Sequence, residues 1–238
     1  IPPFQTNDKL IDYLWRVGRI TKRKVEIVMR KVDRKMYCNC RQLYNNPSGI
    51  IMNQTISAPH MHAMALEALS DKLSPGKKVL DIGCGSGYMT ACFAILLNVS
   101  NTPTSKVVGI DIYRNLVELS KNNIMKDNPK LLSRKDGGDN NNNNVIIKCG
   151  NGWLGNSTNG PYDAIHVGAS ASEIPKDLIK QLALNGKMII PIGSSYKIIH
   201  KKLDSSLMIK EISGVRFVPL ILKNNSNKKL YGNQKCIF

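Results

Sequence analysis

Val79-Leu80-Asp81-Ile82-Gly83-Cys84-Gly85-Ser86-Gly87 decides the fold. Lys78 to Ile82 is a short apolar run that reads as a buried strand, and Tyr88 to about Asn98 continues as an apolar helix. Three glycines lie between them. Glycine allows a tight turn and lets a backbone approach a ligand closely. The spacing is Gly-x-Gly-x-Gly, with Tyr88 where a dinucleotide fingerprint wants its third glycine. No Lys-Ser/Thr pair follows, so the loop is not a P-loop.

Outward from this loop, strands and helices alternate. Strands are predicted at Lys106 to Ile110, Val145 to Cys149, Asp163 to Val167 and Lys187 to Ile192. Helices are predicted from about Arg114 to Asn123 and from Pro175 to about Leu184. Such alternation implies crossovers and a parallel, doubly wound α/β sheet. Lys197 to Leu203 and Leu207 to Leu220 then alternate like strands around Asp204-Ser205-Ser206, an antiparallel hairpin at the edge. Before the loop, residues 1–75 read as a helical elaboration. One helix is capped by Asn7 or Asp8 and ended by Gly18, a second runs from Thr21 to Met36, and a third runs from Ser57 to about Asp71 with Pro59 in its first turn. The expected organisation is one domain: 1–75 helical, 76–192 the α/β core, 193–238 terminal strands and tail.

The strand after the loop ends Gly109-Ile110-Asp111, with Asp111 24 residues beyond Gly87. A carboxylate there is placed to accept both ribose hydroxyls of an adenosine. A Rossmann dehydrogenase is the nearest competitor, but it would prefer glycine at 88 and a pyrophosphate on the helix N-terminus. The loop with Asp81 and Asp111 resembles the class I methyltransferases, which bind S-adenosyl-L-methionine at this place. The resemblance implies a Rossmann-like seven-stranded sheet with a terminal hairpin.

Composition narrows the classes. Hydrophobic residues make up 42% and charged residues 21% of the 238, which is a globular balance. The apolar run Ala91 to Leu97 is far short of the roughly 20 residues that span a membrane. Ile1-Pro2-Pro3-Phe4 shows no basic-then-apolar leader. The 34 basic against 17 acidic residues give +17, a field that attracts anions without choosing among them. The run Asp139 to Asn144 suggests a compositional habit instead. Helix 21–36 carries Lys22, Arg23, Lys24, Arg30, Lys31, Arg34 and Lys35 around an apolar stripe, either a solvated face or a contact for an anionic partner. The cysteines at 38, 40, 84, 92, 149 and 236 form neither a zinc spacing nor a disulfide scaffold, so reduced thiols and a cytoplasmic location are expected. No metal is expected.

The acceptor is narrowed by further motifs. Strand 163–167 continues His166-Val167-Gly168-Ala169, without the Asn/Asp-Pro-Pro-aromatic motif of amino-methylating nucleic-acid enzymes, and no Pro-Cys pair suggests a cytosine enzyme. Gln54-Thr55-Ile56-Ser57-Ala58-Pro59-His60-Met61-His62, with Asp163 to Ala169 and Gly214 to Leu220, closely resembles the protein-L-isoaspartate (D-aspartate) O-methyltransferases over nearly the whole chain. The resemblance implies methylation of the free α-carboxylate of isoaspartyl and D-aspartyl residues in aged proteins and peptides, by a monomer that needs neither nucleic acid nor membrane. The product would be S-adenosyl-L-homocysteine.

By the same resemblance, Ser57 hydrogen-bonds the carboxylate being methylated. Read alone, Ser57 is also a good helix cap. The resemblance assigns the cofactor to Gln54, Thr55, Ile56, Ser57, His62, Gly83, Gly85, Ser86, Asp111, Ile112, Gly150 and Asn151. It assigns the acceptor to Ile56, Ser57, Ala58, His166 and Val218. Two departures stand out. Gly150-Asn151-Gly152 replaces the family's Gly-Asp-Gly, although the Asn151 amide oxygen can still accept from an adenine amine. Ile221 stands where the family commonly has Thr. The Asn140–Asn144 insert is expected to be dispensable. Remaining alternatives are a methyltransferase acting on RNA and a binding module without turnover.

Overall fold

The computed structural model describes residues 4–38, 44, 46–132 and 144–221. Most of the Asn-rich insert and the Lys-rich tail lie outside these residues. The chain begins with α1 (Asn7–Arg16) and α2 (Arg23–Lys31). Thr6 caps α1, its side chain accepting from the Lys9 N–H. Arg30 joins the two helices by pairing with Asp8 at 3.0 Å, Asp12 at 2.5 Å and Glu26 at 3.0 Å. The second helix stops at Lys31, short of the predicted Met36; Val32 is extended and a 3-10 turn takes Arg34–Met36.

A small hairpin follows that the sequence pattern did not reveal: β1 (Ser48–Gly49) pairs with β2 (Thr55–Ile56). Then α3 (Pro59–Leu69) runs back beside α2. Its cap is Ala58, so the helix begins two residues later than expected. The alternating core continues with β3 (Lys78–Ile82), α4 (Tyr88–Leu96), β4 (Lys106–Asp111), α5 (Arg114–Asp127), β5 (Val145–Cys149), β6 (Tyr162–Val167), α6 (Lys176–Gln181) and β7 (Leu182–Ile192). Two last strands, β8 (Ser195–Lys201) and β9 (Leu207–Gly214), complete a seven-stranded sheet of order β5-β4-β3-β6-β7-β8-β9. Pairing is parallel from β5 to β7 and antiparallel at β7–β8 and β8–β9.

Side chains alternate across the strands and divide the interior in two. Val79, Val107, Val145 and Ile189 pack with Phe93, Leu66, Val28 and Leu10 on the side carrying α1 to α5. Leu80, Val108, Ile165 and Met188 pack with Leu178 of α6 on the opposite side. Chain order runs from β3 outward to β4 and β5, then returns to β6 on the other flank of β3. That reversal opens a crevice at the carboxyl ends of β3 and β6, the usual ligand position in such sheets.

Two further boundaries moved for physical reasons. The pattern Leu182-Ala183-Leu184 could extend a helix, but Leu182 pairs with Tyr162, so the strand begins there. The last strand was expected to reach Leu220. It leaves the sheet at Gly214, and Val218 and Leu220 exchange backbone hydrogen bonds with Ser170 instead, both at 2.7 Å. Cys84 and Cys92 are buried free thiols, whereas Cys38 and Cys149 are disulfide-bonded, against the expectation of reduced thiols.

Candidate active site

The glycine loop owes its shape to backbone conformations that side chains resist. Gly83, Gly85 and Gly87 all adopt positive φ, at 71°, 53° and 89°. At Gly87 a Cβ would also stand 3.1 Å from the backbone of Ser120 in α5, so this position needs close packing as well. The Ser120 hydroxyl donates to the Gly85 carbonyl at 3.0 Å, and the Asn123 amide donates to the Ser86 carbonyl at 3.0 Å. Ser86, within the loop, is 3% exposed.

Asp111 ends β4 beside this loop. Its carboxylate accepts from the Gly85 N–H at 3.1 Å and the Tyr113 N–H at 3.0 Å. Burial pushes its carboxyl up to about 6, although the Tyr113, Gly85 and Ile112 N–H groups pull the other way. Asp81 sits behind the loop, fully buried. It accepts from the Thr90 hydroxyl at 2.5 Å and pairs with His166 Nδ1 at 2.8 Å.

A cleft opens above these groups. Its walls include Gln54 and Thr55 from the hairpin, Gly83 and Gly85 from the loop, Asp111 and Ile112 from β4, Gly150 after β5, and Val218 from the returning C-terminal segment. Eight residues expected from sequence therefore meet at one place. Trp153 Nε1 donates to the Leu220 carbonyl at 3.1 Å, strapping the C-terminal segment over the cleft. Sequence reasoning missed Tyr113, Leu116, Gly168, Ala169 and Pro219 to Ile221, which also line it. The apolar positions of the first turn of α5 were a usable signal for Leu116. The C-terminal wall depends on pairing with Ser170, 48–50 residues earlier; the motif resemblance marked Val218 in it, but no periodicity did.

The other expected residues stand around this cleft rather than in its walls. Ile56 and Ala58 are 4% exposed, while Ser57 is half-buried. Ser57 follows β2 directly, two residues beyond cleft-lining Thr55, while Ile56 between them is buried. Ser57 does not cap α3, since Ala58 is the cap and no side chain bonds there. No protein partner for the Ser57 hydroxyl exists among the described residues. Just before β2, Met52 and Asn53 hold positive φ of 63° and 54°, conformations costly without glycine and often found at functional loops.

His62 stacks on Tyr88 with ring centroids 4.6 Å apart. Burial and then the nearby Arg34 charge hold its imidazole well below the usual histidine value. His166 is 5% exposed and committed through Nδ1 to Asp81. Asn151 turns its amide oxygen to the Trp153 N–H at 3.0 Å, which leaves one lone pair of that oxygen for another donor.

The residues present fit an adenosylmethionine. Asp111 offers acceptor oxygens for a ribose diol, the glycine loop offers close backbone, and Ile112, Leu116 and Leu220 offer apolar walls for an adenine. Fold and site together define a class I methyltransferase. The comparisons carry this to a family. The family model for protein-L-isoaspartate(D-aspartate) O-methyltransferase matches residues 5–225. A Triticum aestivum protein-L-isoaspartate O-methyltransferase is 39% identical over 221 residues, covering 91% of each chain. Its Caenorhabditis elegans counterpart is 38% identical over 219 residues, covering 90% of this chain and 92% of the relative. A Plasmodium falciparum chain described as a protein-L-isoaspartate O-methyltransferase, crystallised with S-adenosyl-L-homocysteine, superposes with a TM-score of 0.82 at 37% identity. That match covers 92% of this chain and 99% of the other. The chain belongs to the protein-L-isoaspartate(D-aspartate) O-methyltransferase family.

Proposed function

We propose that the chain methylates the free α-carboxylate of L-isoaspartyl, and D-aspartyl, residues in damaged proteins and peptides. The ester then closes to a succinimide that hydrolyses in part to normal aspartate. S-adenosyl-L-methionine, when bound, supplies a sulfonium methyl that is already an activated electrophile. An acceptor carboxylate with a pKa near ~4 is ionised at neutral pH, so the chain needs no strong base. Its task is to hold oxygen, methyl carbon and sulfur in line, an alignment that can contribute as much as ~7–11 kcal/mol.

The observation that carries this reading is Ser57. The residue is half-buried, two positions beyond cleft-lining Thr55, and its hydroxyl has no protein partner among the described residues. It is free to donate to one carboxylate oxygen while the other attacks the methyl carbon. The electron pair for the new bond is the acceptor carboxylate's, and with the cofactor bound its methyl would leave the sulfur to give S-adenosyl-L-homocysteine. Gly83, Gly85, Asp111, Ile112 and Gly150 hold the cofactor, joined by Gln54, Thr55, Ile56, His62, Ser86 and Asn151. Ile56, Ala58, His166 and Val218 border the acceptor.

Much of the basic surface that favoured RNA is engaged within the fold. Arg30 binds three carboxylates, Lys24 donates to the Leu73 carbonyl at 3.0 Å, Lys22 donates to the Glu67 carbonyl at 2.8 Å, and Arg34 is buried. We place the enzyme in the cytoplasm as a monomer of one domain acting on proteins. No described helix is long and apolar enough to cross a membrane. The test supplies labelled cofactor with an isoaspartyl peptide, its aspartyl isomer and bulk RNA. Base-labile label on the isoaspartyl peptide supports the reading, and label on RNA alone defeats it.

A further inference from the structure

Arg34 was expected on the outer face of a helix, yet it is 1% exposed. Its guanidinium lies 3.3 Å from His62 Nδ1, 3.2 Å from the Asn46 carbonyl and 3.5 Å from the Ile56 carbonyl. We propose that Arg34 is a positioning residue for cofactor binding: it keeps the His62 proton on Nε2, so that this N–H is a ready donor for the carboxylate of the cofactor's amino-acid tail. The proposal rests on the cofactor reading above.

The wiring follows from donor chemistry. A guanidinium has donors and no acceptor, so the nitrogen facing it must present its lone pair. A neutral imidazole carries its one proton on the other nitrogen. The Tyr88 ring stacked at 25° holds the imidazole plane. His62 Nε2 has no protein partner among the described residues, and it is not among the sealed, unsatisfied atoms, of which Asn7 Oδ1 is the one found there. The nitrogen is therefore not fully sealed, although His62 as a whole is buried. His62 stacks on Tyr88, the residue after the glycine loop, and through Arg34 is tied to Ile56 of the hairpin; the neighbouring residues Thr55, Gly83 and Gly85 line the cleft.

The titratable and charged groups around His62 agree. They are Arg34 from the 3-10 turn, Tyr88 from α4, His166 from β6 and His60 from its own helix, with no carboxylate among those that shift it. Burial first, and then the Arg34 guanidinium, hold the His62 imidazole well below the usual histidine value. The same guanidinium reaches the carbonyl of Ile56, the residue before Ser57.

Two measurements test this. In the wild-type protein, nitrogen NMR of labelled histidines should show His62 in the Nε2–H form near pH 7.5; the Nδ1–H form overturns the proposal. The second compares S-adenosyl-L-homocysteine with 5′-methylthioadenosine, which lacks the amino-acid tail. Arg34→Met should weaken the first ligand several-fold relative to the second at pH 8, because binding must then select the Nε2–H form from a mixture of tautomers and hold a ring that has lost its Nδ1 partner. Arg34→Lys should restore most of the ratio. Equal losses on both ligands, or an unchanged ratio, overturn the proposal. Absence of S-adenosyl-L-homocysteine binding in the wild type would refute the cofactor reading and the proposal with it.

Discussion

Replacing Ser57 with alanine separates its two possible roles. If the hydroxyl capped α3, its removal would cost about 1 kcal/mol of stability. For a chain of this size that is roughly 2–4 °C in Tm. Here the cap is Ala58, and the hydroxyl makes no hydrogen bond to the protein among the described residues. The fold therefore loses little, within about 0.5 kcal/mol, and Tm should move by less than about 2 °C. The acceptor complex loses a hydrogen bond to an ionised oxygen, about 1.5–3 kcal/mol. That lowers kcat/KM for an isoaspartyl peptide by about ten- to hundredfold. Titration calorimetry should find S-adenosyl-L-homocysteine affinity within about twofold of wild type, because the adenosine and ribose contacts lie elsewhere. A clear drop in Tm with unchanged turnover would show that Ser57 supports the helix and would refute its placement against the acceptor.

Asp111→Asn should weaken cofactor binding at least about tenfold, the loss of an ionised acceptor for the ribose, while the peptide KM changes little. In the wild type, cofactor affinity measured across pH should fall as pH drops through about 6, where Asp111 takes up a proton. Because its pKa is raised on folding, ionised Asp111 opposes folding: the associated stability is full below ~4 and lost as pH rises through about 6. Cofactor-free Asp111→Asn should thus melt higher than wild type at pH 8. Gly152→Ala places a Cβ 2.6 Å from Leu220 Cδ1 and 2.8 Å from Ile82 Cγ2. It should cost about 1–3 kcal/mol and change Trp153 fluorescence as the C-terminal strap shifts. Asp81→Ala leaves His166 Nδ1 and the Thr90 hydroxyl without their buried acceptor and should cost about 2–4 kcal/mol in denaturant unfolding.

The cofactor seat was legible because its determinants are short in range. Three glycines with positive φ, a buried strand before them and an acid closing the next strand are all local patterns, and β3, β4 and Asp111 lie where those patterns place them. The acceptor side was not legible from periodicity. β1 and β2 are two residues each, too short for any alternation to register, and motif resemblance alone singled out Thr55 to Ala58. Arg34 fell on a polar helical face by pattern, but the helix ended at Lys31 and turned the side chain inward. The wall from Val218 to Ile221 exists because Ser170 pairs with it across the sheet's end, a contact that no window of sequence contains.

A crystal structure of the complex with S-adenosyl-L-homocysteine and an isoaspartyl peptide tests the account most directly. Both ribose hydroxyls should lie within hydrogen-bond distance of Asp111, the sulfur should face the hairpin, and one oxygen of the peptide's free α-carboxylate should accept from Ser57 Oγ. An adenosine seated away from Asp111, or a peptide carboxylate separated from the sulfur by protein, would contradict it.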